Sequence, residues 1–112
     1  MTNGALVKSE DVLAFLPNET DKAGTVNCVN ACILSAQAQA ESYSMISFAD
    51  FTADNVPQDI RTAIIKWALA DFVSNHTNTN YVEGDGNYAD RASRLVKEAK
   101  ELLEKYRPIV AL

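Results

Sequence analysis

Residues 57–76 constrain this chain more than any other stretch. Pro57, well suited to the first helical position, opens Pro57-Gln58-Asp59-Ile60, and a helical period continues to about His76. Ile60, Ala63, Ile64, Trp67 and Ala70 fall on one face, and Ile65, Leu69, Phe72 and Val73 on the other. A helix apolar nearly all round has to be buried on two sides. In a chain of 112 residues, the rest of the sequence must wrap it, or a neighbouring subunit must cover one face.

Three further helical segments surround this one in the sequence. Ser9 is placed to cap Glu10-Asp11-Val12-Leu13-Ala14-Phe15-Leu16, which Pro17 ends. Its two early acids suit the positive end of the helix dipole. After a loop from Pro17 to Gly24, Thr25 can cap a helix to about Tyr43. Val26, Val29, Ile33, Ala36, Ala40 and Tyr43 step by three and four along it and share a face. The opposite face, Ala31, Ser35, Ala38 and Ser42, is small and polar and lets another backbone come close. The last helix starts near Tyr88 or Ala89 and ends near Arg107. Ala92, Leu95, Val96, Ala99, Leu102, Leu103 and Tyr106 form its apolar stripe. Arg94/Glu98, Lys97/Glu101, Lys100/Glu104 and Glu101/Lys105 place opposite charges four apart on its solvated side.

The pattern therefore predicts an all-α fold, a small bundle of about four helices, one short and three long. An irregular segment, residues 45–52, separates the second and third. The alternation of Ile46 and Phe48 there suggests a short extended piece, a hairpin, or a plug over the core. Residues 1–107 read as a single domain and Pro108-Ile109-Val110-Ala111-Leu112 as an apolar tail that Pro108 bars from the helix. The composition agrees: 47% hydrophobic and 22% charged residues are ordinary for a globular domain.

Several function classes are disfavoured. The longest uncharged stretch, Ala23 to Ala40, contains Asn27, Asn30, Ser35, Gln37 and Gln39 and is too polar for a membrane span. Residues 1–5 lack the basic and apolar regions of a signal peptide, which with two cysteines points to assembly in a reducing compartment. The net charge is −5, carried by residues 1–59 with eight acids against two lysines. There is no basic stripe of the kind that releases counterions from DNA.

Candidate chemistry is sparse. Cys28 and Cys32 are four apart within a helix, too far for a bridge and short of partners for a zinc site. They read as small thiols in or near the core. His76 suits a helix C-terminus but has no nucleophile beside it. Asp71, on the Ile64/Trp67 face, needs a partner if buried. Glu83-Gly84-Asp85-Gly86-Asn87 lacks the residue order of a calcium loop. No catalytic residue, cofactor or metal ligand is assigned, and the chain is expected not to be an enzyme.

The order of features carries a resemblance. A short helix follows Ala5-Leu6-Val7 with Glu10-Asp11-Val12; a long helix ends in Glu41-Ser42-Tyr43; then come an irregular segment and Val56-Pro57-Gln58-Asp59-Ile60-Arg61-Thr62-Ala63-Ile64, leading a Trp- and Phe-bearing helix. This resembles the head–tail connector (adaptor) proteins of long-tailed bacteriophages, over roughly residues 5–76. The chain departs from that pattern in the Asn/Thr-rich loop 75–87 and in Ser44-Met45, where many relatives carry a Gly/Arg turn.

The resemblance implies a virion protein of the phage neck, made in the host cytoplasm. It would form a dodecameric ring beneath the portal protein, extend the DNA channel, and meet a downstream head-completion or tail protein. Genomic DNA would pass through the lumen without sequence-specific binding, and no membrane is involved. On this expectation Ile60, Ile64, Trp67, Leu69, Phe72 and Val73 serve core or ring packing, and Pro108, Ile109, Val110 and Leu112 dock on the portal. The alternative is a small dimeric helical regulatory or adaptor module.

Overall fold

A computed structural model describes residues 5–14, 23–76 and 88–107, with side chains omitted for 23–26, 73–76 and 88–91. The fold is all-α: α1 (Ser9–Leu13), α2 (Ala23–Ser44), α3 (Gln58–His76) and α4 (Tyr88–Leu103), which tightens into a 3₁₀ turn, Glu104–Tyr106. Among the described residues there is no strand. The small bundle of four helices expected from the sequence is therefore what forms.

α3 is the central helix and packs on both α2 and α4, while α1 rests on α2 and α3. Ile60, Ala63, Ile64 and Ala68 are fully buried, and Trp67, Leu69, Ala70 and Phe72 nearly so. α2 contributes Val29, Ile33, Ala36 and Ala40, the face its spacing predicted, and α4 contributes Ala99 and Leu103. Each large side chain moved from water into this core contributes roughly 1.5–3 kcal/mol.

The helix ends differ from expectation in informative ways. Lys8, not Ser9, occupies the cap position of α1. Asp11 decides this: its carboxylate accepts the Lys8 N–H at 3.2 Å, and its own N–H donates to the Lys8 carbonyl at 3.0 Å. Ser9 becomes the first helical residue. Phe15, Leu16 and Pro17 lie outside the described residues. α2 starts at Ala23, two residues before the expected Thr25 cap. Pro57 sits one position before α3, its carbonyl accepting the Arg61 N–H at 3.0 Å.

The segment between α2 and α3 is the plug of the three possibilities. Phe48 is 1% exposed and stacks obliquely on Phe51, ring centroids 5.7 Å apart. The chain reaches this position because α2 stops abruptly. Met45 takes φ 63°, the left-handed conformation that ends many helices and usually calls for glycine. Glu41 then binds the returning chain, its carboxylate accepting the Phe48 N–H at 2.6 Å. Thr52 and Asn55 close the next turn reciprocally, Thr52 N–H to Asn55 Oδ1 at 2.6 Å and Asn55 N–H to Thr52 Oγ1 at 3.3 Å. Arg61 ties α3 back to this turn through the Ala53 carbonyl.

Candidate functional surface

The residues expected to pack the core or a ring divide cleanly. Ile60, Ile64, Trp67, Leu69 and Phe72 are all buried within their own chain. The second apolar face of α3, which the sequence left open to a neighbouring subunit, is therefore covered intramolecularly at Leu69 and Phe72. The side chain of Val73 lies outside the described residues, as do that of His76, the loop 77–87, and Pro108, Ile109, Val110 and Leu112.

A surface groove of about 790 Å³ lies between α2 and α4, floored by Trp67, Ala70 and Asp71 of α3. Its aromatic wall is built by three helices. Trp67 donates its indole N–H to Gln39 Oε1 at 3.1 Å and meets the edge of Tyr43, centroids 6.2 Å apart at 63°. Lys100 of α4 lies 5.4 Å from the Tyr43 ring and 5.9 Å from the Trp67 ring. Arg107 stacks on Tyr43 at 4.5 Å. At exposed sites such cation–π contacts contribute roughly 0.5–1 kcal/mol.

Tyr43 also donates its hydroxyl to Glu104 Oε2. This bond raises the phenol above its ordinary range, with Arg107 pulling the other way. Tyr43 thus gathers the end of α4 onto the end of α2. The arrangement is structural in kind: the ring, the acid and the two cations satisfy one another.

Asp71, on the groove floor, is half-buried rather than buried. It accepts a hydrogen bond from the Cys32 thiol. Burial pushes that thiol up to about 12, and the charge and hydrogen bond of Asp71 add to the effect. Cys32 is buried and Cys28 half-buried, both as free thiols. Among the described residues no group of three side chains converges as a metal site.

Two charges, one on α4 and one on its 3₁₀ turn, pair with α3. Glu98 joins Lys66 of α3 at 2.9 Å; this bond leads in lowering the Glu98 carboxyl, and Arg94 adds a smaller pull. Lys105 joins Asp59 at the start of α3, which raises the ammonium. Glu104 faces Arg107, three residues on, at 4.0 Å. The spacing of four seen in the sequence was available, but partners on α3 sit closer.

The outward face of α2 is a different kind of surface. Ala31, Leu34, Ser35, Ala38 and Ser42 are all exposed. The sequence showed its small residues but not Leu34, whose apolar side chain belongs to no core stripe and stands 53% exposed. No helix among the described residues is long and apolar enough to cross a membrane. The chain matches no protein-family model, no curated protein and no solved structure.

Proposed function

We propose that this chain is a structural protein of the phage neck, a ring-forming connector beneath the portal that links head to tail and extends the DNA channel. The observation that supports this reading is the order in which motif and element coincide. Leu6 and Val7 are buried ahead of the short α1, the long α2 carries Glu41-Ser42-Tyr43 at its end, an irregular plug follows, and Val56-Pro57 leads into the Trp67-bearing α3. Those are the features on which the resemblance to connector proteins rests.

In this role the work is done by surfaces. The buried α3 makes the subunit a rigid block, and residues 108–112 supply an apolar segment to dock on the portal. The lumen would carry the acidic charge of the N-terminal half, which repels phosphate and lets DNA slide.

The test is the mass of the purified protein over a concentration series, with negative-stain images of the same samples. Rings with a central hole are expected. A closed dimer at every concentration would overturn the reading in favour of a small dimeric module. A chain ending at residue 107 is expected to keep its fold and lose attachment to the portal.

A further inference from the structure

The groove between α2 and α4 has an apolar centre and a polar edge. Trp67 and Ala70 line its floor, with Tyr43 of α2 and Val96 of α4 on its sides. The exposed Lys97 and Glu101 border it. An apolar centre inside a polar rim is the layout of a surface that another segment covers.

Tyr43 and Glu104 line the groove where α2 and α4 end, and three contacts fix Arg107 there. Its guanidinium stacks on the Tyr43 ring at 4.5 Å and faces the Glu104 carboxylate at 4.0 Å. Its backbone N–H donates to the Glu104 carbonyl at 3.1 Å. Arg107 is extended, φ −75° and ψ 139°, the conformation that a following proline imposes. The chain therefore leaves its last turn at the mouth of the groove.

We infer that residues 108–112 occupy the groove of their own chain in the free subunit. Reach allows it. The α4 lining runs back from Glu104 to Ala92, about 18 Å at the helical rise, and an extended segment of five residues spans about 17 Å. Trp67 is closer still, because it lies beside Lys100, about 6 Å back from Glu104. Composition matches as well: Pro108-Ile109-Val110-Ala111-Leu112 carries no charged side chain and suits the apolar centre. A segment tethered this closely has an effective concentration on the order of millimolar, so it prevails over the same segment of a second copy. The contact goes beyond the neck reading: a portal that docks on these residues has to draw them out of the groove.

The experiment is nuclear magnetic resonance of the isotope-labelled full chain. Proton–proton contacts are expected between the methyl groups of Ile109, Val110 or Leu112 and the rings of Trp67 and Tyr43. In a chain ending at residue 107, the signals of the Trp67 indole N–H and of Val96 should shift while those of Ile33 stay. A synthetic peptide of residues 107–112 at about 1 mM, the effective concentration that truncation removes, should return them. The full chain carrying both Ile109→Asp and Val110→Asp should show the same shifts with the helical circular dichroism of the parent. Absence of the contacts would overturn the inference, as would groove signals that neither truncation nor the double variant moves. Contacts seen only between labelled and unlabelled chains in a mixed sample would overturn it too, by seating a second copy's segment there. Rings imaged from a sample that lacks the groove contacts would remove this inference alone. Groove contacts in a protein that forms no ring would remove the neck reading alone.

Discussion

The Leu6 backbone N–H donates to the side-chain oxygen of Gln37 at 2.8 Å, joining residues 31 apart in sequence inside the core. Gln37 is 2% exposed, and Leu6 and Val7 beside it are 1% and 2% exposed. One amide thus holds the N-terminal segment against α2. Replacing Gln37 by Leu leaves the Leu6 N–H buried without this acceptor, which costs about 1–3 kcal/mol. Denaturant unfolding should show that loss, and hydrogen exchange at Leu6 should speed up more than at Ile64. A loss below about 0.5 kcal/mol, the usual range for an inconsequential surface change, would show that the bond does not hold the segment.

Met45 holds a conformation that costs a non-glycine residue roughly 1–2 kcal/mol. Its side chain is exposed and offsets little of that. Glycine removes the strain but loosens the unfolded chain by about 0.5–1 kcal/mol. Met45→Gly is expected to stabilise the fold by about 0.5–1 kcal/mol, and Met45→Val to destabilise it. A melting temperature that falls in the glycine variant would show that the turn is set by something other than this backbone conformation.

The two thiols should separate in reactivity. Cys32 is buried and its pKa stands near 12, while Cys28 is half-buried. At pH 8 the thiolate is the reacting species, so a disulfide reagent should modify one thiol fast and the second only at the rate of unfolding. Linkage sets the pH trend. The raised folded-state value stabilises the fold fully below about 9, and that contribution is lost as pH rises from there towards about 12. Cys32→Ala should lack this alkaline decline. Two equally fast modifications at pH 8 would refute the assignment.

Glu98 tests the acid side. Lys66 lowers its carboxyl pKa in the folded state, so the contribution is present above the unfolded carboxylate value and fades as pH falls through the lowered folded one. Glu98→Gln is expected to flatten the acid limb of the stability profile, and about 1 M salt should shrink the difference from the parent because the pair is partly exposed. A difference that persists unchanged in salt would mean that Glu98 acts through packing.

The elements of this fold were legible in the sequence because helix formation leaves a local mark. The period of three and four marked the buried faces of α2 and α3, and the all-round apolarity of residues 60–72 announced the central helix. Ends were less legible. Lys8 displaced Ser9 because Asp11 faces back to it, and Met45 stands where glycine is the ordinary signal.

What the tertiary structure alone decided are the pairings between elements. Glu98 had Arg94 and Lys105 had Glu101 at helical spacing, yet each found its closest partner on α3. Gln37 looked like one more polar residue in an uncharged stretch until the N-terminal segment came to lie on it. Leu34, one apolar residue among many, became surface because its side of α2 turned away from α3. Period and propensity are properties of neighbours along the chain, whereas which side faces which helix, and at what register, is set by how α1, α2 and α4 pack around α3.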